Sequence, residues 1–141
     1  MTRGLDIEFI IGKLVWYNRD YSGALPVNFE AEPLTIRVGG ANWFSDFVAV
    51  GELMVTLEHW LDSEIAIQQQ GFAFHSIDTE DNPVLLLAPT GRGTEWTLRQ
   101  FDPDAPVMHL PAGDVEQLLR NWHDTIAAKI RRQFGEVHVT W

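Results

Sequence analysis

Two short stretches hold the side chains most able to do acid–base chemistry. Glu58–Ser63, EHWLDS, sets His59 between a carboxylate and a tryptophan, and Leu118–Asp124, LLRNWHD, sets His123 beside Trp122 and Asp124. A histidine next to a carboxylate can serve as a general base when the carboxylate orients the ring and the free nitrogen faces a substrate. The five histidines, His59, His75, His109, His123 and His138, fall in separate segments without an HxH or HExxH spacing, so no metal site is expected from them. Glu30 and Glu32 in FEAEP would share one face of a strand about 7 Å apart. Paired carboxylates of that kind serve glycoside hydrolysis only when a sugar cleft raises the pKa of one of them. Gly91–Gly93, GRG, lacks both GxGxxG and GxxxxGK[ST], and Ser22, Ser45 and Ser76 lack the GxSxG setting of a nucleophile elbow. Asp78, Glu80 and Asp81 crowd one turn, and Asp102 with Asp104 a second, without the ligand spacing or glycine of a calcium loop. Such turns are solvated, or they form a negative rim for a positively charged protein. No cofactor is expected.

Helical phase decides what the two histidine stretches are. Val50, Leu53, Met54, Leu57, Trp60 and Leu61 follow an i, i+3, i+4, i+7 pattern, which predicts a helix over about 50–63. Trp60 lies on its apolar stripe, Glu58 on the flank, and His59 on the opposite side, toward water. Val115, Leu118, Leu119, Trp122, Ile126, Ile130 and Phe134 predict a second helix over about 111–134. Its acidic first turn and basic last turn suit the helix dipole. Trp122 falls on the stripe, His123 on its border and Asp124 outside it. Both stretches therefore read as helix faces.

The remaining segments read as strands. Leu5, Ile7 and Phe9 alternate with Asp6 and Glu8 in a long first strand, with a bulge expected at Gly12. Val27, Phe29, Ala31, Leu34, Ile36 and Val38 follow, with Pro33 marking an edge or a break. Gly39-Gly40 suits a tight hairpin leading into ANWFSDF. GFAFHSI, PVLLLAP and TEWTLRQF form an antiparallel meander over about 71–101, in which PVLLLAP is the expected core strand. DPDAPVMHLP reads as a loop, and Val137, Val139 and Trp141 as an edge strand over 137–141. The expectation is one α+β domain spanning 1–141, in which a mainly antiparallel twisted sheet of about six to seven strands packs against two helices.

Composition bounds the function. At 45% hydrophobic and 21% charged residues the chain is neither disordered nor fibrous in character. Zero cysteines remove disulfides, thiolate zinc sites and cysteine nucleophiles. No apolar run reaches the roughly 18 residues of a membrane span, and MTRGLDIEF lacks a secretory apolar core, so a cytoplasmic protein is expected. A formal net charge of −10 would repel phosphate backbones, which argues against direct nucleic-acid binding and for a basic protein partner. Six tryptophans include candidate interface anchors at Trp43, Trp96 and Trp141, core packing being the default for each.

The helix ending in Trp60-Leu61, the strand pair Trp96 and Leu98, and the long helix from about 111 to 134 resemble small bacterial proteins of uncharacterised families that look like immunity proteins of polymorphic toxin systems. The likeness spans about residues 33–134 and consists of packing features. It implies a cytosolic, non-enzymatic inhibitor that binds a cognate toxin, with a basic toxin domain as partner. The residues offered for that contact are Asp78, Glu80, Asp81, Asp102, Asp104, Glu30 and Glu32. Two other readings remain: a small-ligand binder with a pocket between sheet and C-terminal helix near Trp96, Trp122 and Phe72, and an enzyme using Glu30, Glu32, His59 or His123.

Overall fold

In a computed structural model the structure describes residues 6–15, 24–26, 30–75, 84–91, 93–134 and 138–140. The first strand, β1 (Ile7–Val15), pairs antiparallel with β3 (Glu30–Val38), which pairs in turn with β4 (Ala41–Val48), in the order β1-β3-β4. Gly39 and Gly40 both take positive φ, 58° and 85°, as a two-residue hairpin between β3 and β4 requires. The chain continues into α1 (Val50–Leu61) and a one-turn helix, α2 (Ile65–Gln68). A second antiparallel sheet follows, of β5 (Phe72–Phe74), β6 (Leu85–Pro89), β7 (Glu95–Gln100) and β8 (Met108–Pro111), in sequential order. Helix α3 (Ala112–Phe134) crosses back, and β9 (His138–Thr140) pairs parallel with β2 (Ala24–Pro26).

The α+β class holds, with the antiparallel strands divided between two sheets. Several local expectations change. The β1–β3 register runs through Gly12 without a bulge, since Ile11 pairs with Leu34 and Lys13 with Glu32. The irregularity lies instead between β3 and β4, where the register shifts between Ala31 and Leu34 and again between Ile36 and Arg37. Pro33 therefore sits inside a central strand, at a place where the ladder is already interrupted, which is how a residue without an N–H is accommodated there. Leu14 and Ala31 are buried out of phase with Ile11 and Leu34, so both strands change face at Gly12 and Pro33. In DPDAPVMHLP only the first part is loop. Its end, Met108–Pro111, becomes β8 because Leu98 and Trp96 offer it a partner edge, which periodicity over four residues cannot reveal.

One continuous apolar cluster joins both sheets to α1 and α3. Leu34, Ile36 and Phe44 supply it from the first sheet, and Phe72, Leu85, Leu87 and Leu98 from the second. Val50, Leu53, Leu57 and Trp60 on α1 meet Val115, Leu119, Trp122, Ile126 and Ile130 on α3, the stripes that the 3.6-residue period defines. Each such side chain contributes about 1.5–3 kcal/mol by leaving water. PVLLLAP is the core strand expected: β6 lies between β5 and β7, and Leu85 and Leu87 are fully buried. Glu52, also buried, sits in the first turn of α1, where the helix dipole favours an anion.

Candidate functional site

The C-terminal end of α1 builds the first wall of a cavity. Helix ends leave carbonyls without intrahelical partners. Here the Gln68 side chain folds back and donates through Nε2 to the carbonyls of Trp60 at 2.9 Å and Leu61 at 3.3 Å. That contact docks α2 against α1. The Trp60 indole donates to Gly71 O at 3.0 Å and meets Phe72 edge-on at 6.4 Å between ring centroids. Gly71 has φ +109°, and a Cβ there would stand 2.7 Å from Leu87 O, so only glycine permits the close approach of this segment to β6. The Trp60 ring is thereby fixed in position.

The second wall comes from β7 and the start of α3. Trp96 pairs with Pro89 on one side and Leu110 on the other. The Thr90–Thr94 turn closes through Thr90 N to Glu95 O at 3.1 Å, and Ala112 N donates to Thr94 O at 2.6 Å, joining the first turn of α3 to it. Between these elements lies a cavity of about 400 Å³, walled by Trp60, Trp96, Val115 and Ile65, with Gln69 and Glu116 among its polar lining. The size falls at the lower end of the range usual for ligand pockets, about 300–1,000 Å³. Both tryptophans are more than nine-tenths buried, whereas Ile65 and Ile67 on α2 are 71% and 51% exposed.

The two histidine-bearing helix faces meet elsewhere. His123 Nε2 lies 3.3 Å from Glu58 Oε1 across the α1–α3 contact, and its Nδ1 lies 3.2 Å from Asp124 Oδ1. With both ring nitrogens facing the protein's own carboxylates, the imidazole presents neither to a substrate. His59 is exposed, and its carbonyl accepts a hydrogen bond from Ser63 Oγ at 2.6 Å. Phase analysis of single helices placed Glu58 and His123 on their flanks but could not show that the flanks face one another.

His109 and Glu95 form a pair that sequence reading missed. Nδ1 lies 2.8 Å from Glu95 Oε1 across the β7–β8 ladder, beside a shallow cleft lined by Thr94, Leu110 and Pro111. The orientation is that of a carboxylate-held general base, but the side chains are 60% and 46% exposed. Charges so placed are screened by water and salt, and the contact has the strength of a surface pair. Among the described residues, no group of three or more His, Asp or Glu side chains could hold a metal ion.

The acidic candidates do not converge. Asp102 and Asp104 share an exposed turn in which Asp104 N donates to Asp102 Oδ1 at 2.9 Å. Glu32 and Glu30 lie on β3 opposite Lys13 and Val15. Asp78, Glu80 and Asp81 lie outside the described residues. Of the residues expected to line a pocket, Trp96 borders the cavity, whereas Trp122 and Phe72 are core residues and do not line it. Trp43, the other interface candidate among the described residues, is half-buried and donates to Pro106 O at 2.7 Å. In SEIAIQQQG two isoleucines stand alone in a polar run, which marks an apolar spot but not the helical turn α2.

Fold and site together define an acidic α+β domain with a cavity walled by two tryptophans. The chain belongs to the family described as Domain of unknown function (DUF7878), whose model matches residues 15–132, a span that includes every wall of the cavity. No curated protein and no solved structure matches the chain. Among the described residues, no helix is long and apolar enough to cross a membrane.

Proposed function

We propose that the protein is a non-enzymatic protein-binding module acting in the cytoplasm, an immunity-type inhibitor that binds and neutralises a basic cognate toxin. The observation that carries the reading is the exposure of Ile65, which lines the Trp60–Trp96 cavity, and of Ile67 on the same short helix, on a molecule of net charge −10. Exposed apolar residues next to an aromatic-walled recess are the pattern of an interface hot spot, and an acidic surround accelerates the approach of a basic partner. Inhibition of this kind needs no reactive group, because occupying the toxin's substrate groove suffices. Asp102 and Asp104, beyond the other end of the β7–β8 ladder, add to the net negative charge.

The test is affinity capture from the native host's lysate at low and moderate salt, using the wild-type protein and Ile65→Asp. A stoichiometric basic protein is expected, released by salt and lost in the variant, whose side chain is too exposed for the fold to depend on it. Coexpression of that protein with wild type, but not with the variant, should restore growth. A lysate that yields no stoichiometric partner would sink the reading.

The cavity volume favours a second reading, a small-ligand site. A thermal-shift screen would then raise Tm for at least one compound in wild type and not after Val115→Phe, which fills the recess. A screen without a hit removes this alternative.

A further inference from the structure

The cavity between α1–α2, the β6–β7 turn and the start of α3 has a chemistry that selects its occupant. Its walls are two indoles and aliphatic side chains with the neutral polar Gln68, Gln69 and Thr94, and the only charged residue lining it among the described residues is Glu116. Indole faces attract cations through the ring quadrupole, and the attraction grows as water is excluded. A carboxylate beside two tryptophans therefore favours a positively charged group with a flat apolar face. Guanidinium meets both requirements, since it stacks on aromatic rings and pairs with carboxylates through a planar fork, which ammonium cannot do.

The carboxylate already engages such a group within the chain. Arg120 Nη2 donates to Glu116 Oε1 at 3.0 Å, one helical turn away. Both side chains are about half exposed, so this contact is weak and readily exchanged for a better-desolvated one. The rim distinguishes a protein from a free small cation. Ile65 lines the recess yet stays 71% exposed, so a small molecule in the recess would leave part of its surface in water, whereas a polypeptide carrying the cation covers it.

We propose that the Trp60–Trp96 cavity receives one arginine side chain of a protein partner, with its guanidinium paired to Glu116 and its flanking residues laid over Ile65. This rests on the protein-binding reading above and names the partner's anchoring group.

The test uses two small probes, N-acetyl-arginine methylamide and its neutral isostere N-acetyl-citrulline methylamide, titrated to their solubility limits into the 15N-labelled protein. Indole N–H signals are followed by NMR. The arginine probe is expected to move the Trp60 and Trp96 signals and leave that of Trp43, which is held by Pro106 O, in place. Citrulline should bind at least about threefold more weakly, the factor that an exposed cation–π contact provides. Glu116→Gln should narrow the difference between probes by removing the carboxylate's share of it, and Arg120→Gln, which frees the carboxylate, should tighten arginine binding. Both positions are exposed, and the unperturbed spectrum of each variant verifies its fold. Absence of shifts at Trp60 and Trp96, equal binding of both probes, or weaker arginine binding in Arg120→Gln overturns the proposal. These outcomes are separable from failure of the inhibitor reading. A lysate without a partner sinks that reading and leaves the titration result standing, whereas a captured partner whose affinity is unchanged by Glu116→Gln overturns the arginine placement alone.

Discussion

Gly71 and Trp122 show how much one position can carry. At Gly71 the backbone is in a region that L side chains avoid, and the space a Cβ would fill is held by a β6 carbonyl, an atom that cannot swing aside. Gly71→Ala is therefore expected to cost about 2 kcal/mol or more, the sum of left-handed strain and the clash, measured by urea unfolding. Because Gly71 O also receives the Trp60 indole, the same substitution should shift the Trp60 N–H resonance. Trp122 is fully buried and stacks on Phe9 with 5.1 Å between centroids and 20° between planes. Trp122→Ala should cost about 3–5 kcal/mol. Its indole Nε1 makes no hydrogen bond among the described residues, so Trp122→Phe, which keeps most of the ring volume and loses no hydrogen bond, should cost distinctly less than alanine. Equal losses for the two variants would show that phenylalanine cannot fill the site. By contrast, His123→Asn removes a half-exposed contact with Glu58, and a change within about 1 kcal/mol is expected.

At the scale of elements, the edge of β1 is closed by a side chain. Leu14 N donates to Gln133 Oε1 at 3.1 Å and Leu14 O accepts from Gln133 Nε2, so an amide near the end of α3 occupies the place a neighbouring strand would take. Gln133→Ala should lower stability by about 1 kcal/mol and speed amide hydrogen exchange at Leu14 in particular. The two long helices and the Gly-Gly hairpin were legible in the sequence because their signals are local: the 3.6-residue stripe and two adjacent residues free to take positive φ. The face change at Gly12 and Pro33 was not, since it depends on two strands yielding together. Nor was α2, a single turn held by Gln68 capping of the preceding helix, where propensity alone decides nothing. The candidate site inherits this division. Trp60 and Trp96 stood out as aromatic residues, but their shared cavity exists only because α2, the β6–β7 turn and α3 meet around them.

For the molecule as a whole, the decisive contacts are those between the sheets. Gln100 at the end of β7 donates to Trp43 O on β4, Trp43 donates back to Pro106 O, and Phe44 meets Phe101 edge-on at 6.2 Å. Gln100→Ala leaves a half-buried carbonyl without this donor and should cost about 1–3 kcal/mol. Unfolding should stay a single transition by both tryptophan fluorescence and circular dichroism, because one apolar cluster runs through both sheets. Separate transitions would mean that the sheets are independent units.

The bond between Leu14 and Gln133 spans 119 positions of the chain. On a translating ribosome, β1, β3 and β4 emerge with one rim bare and must wait for the end of α3 before that rim is sealed. Closure of the first sheet therefore follows the synthesis of α3. Until then the nascent chain exposes a strand edge, and it is during that interval, rather than in the finished fold, that β1 is vulnerable to pairing with a neighbour.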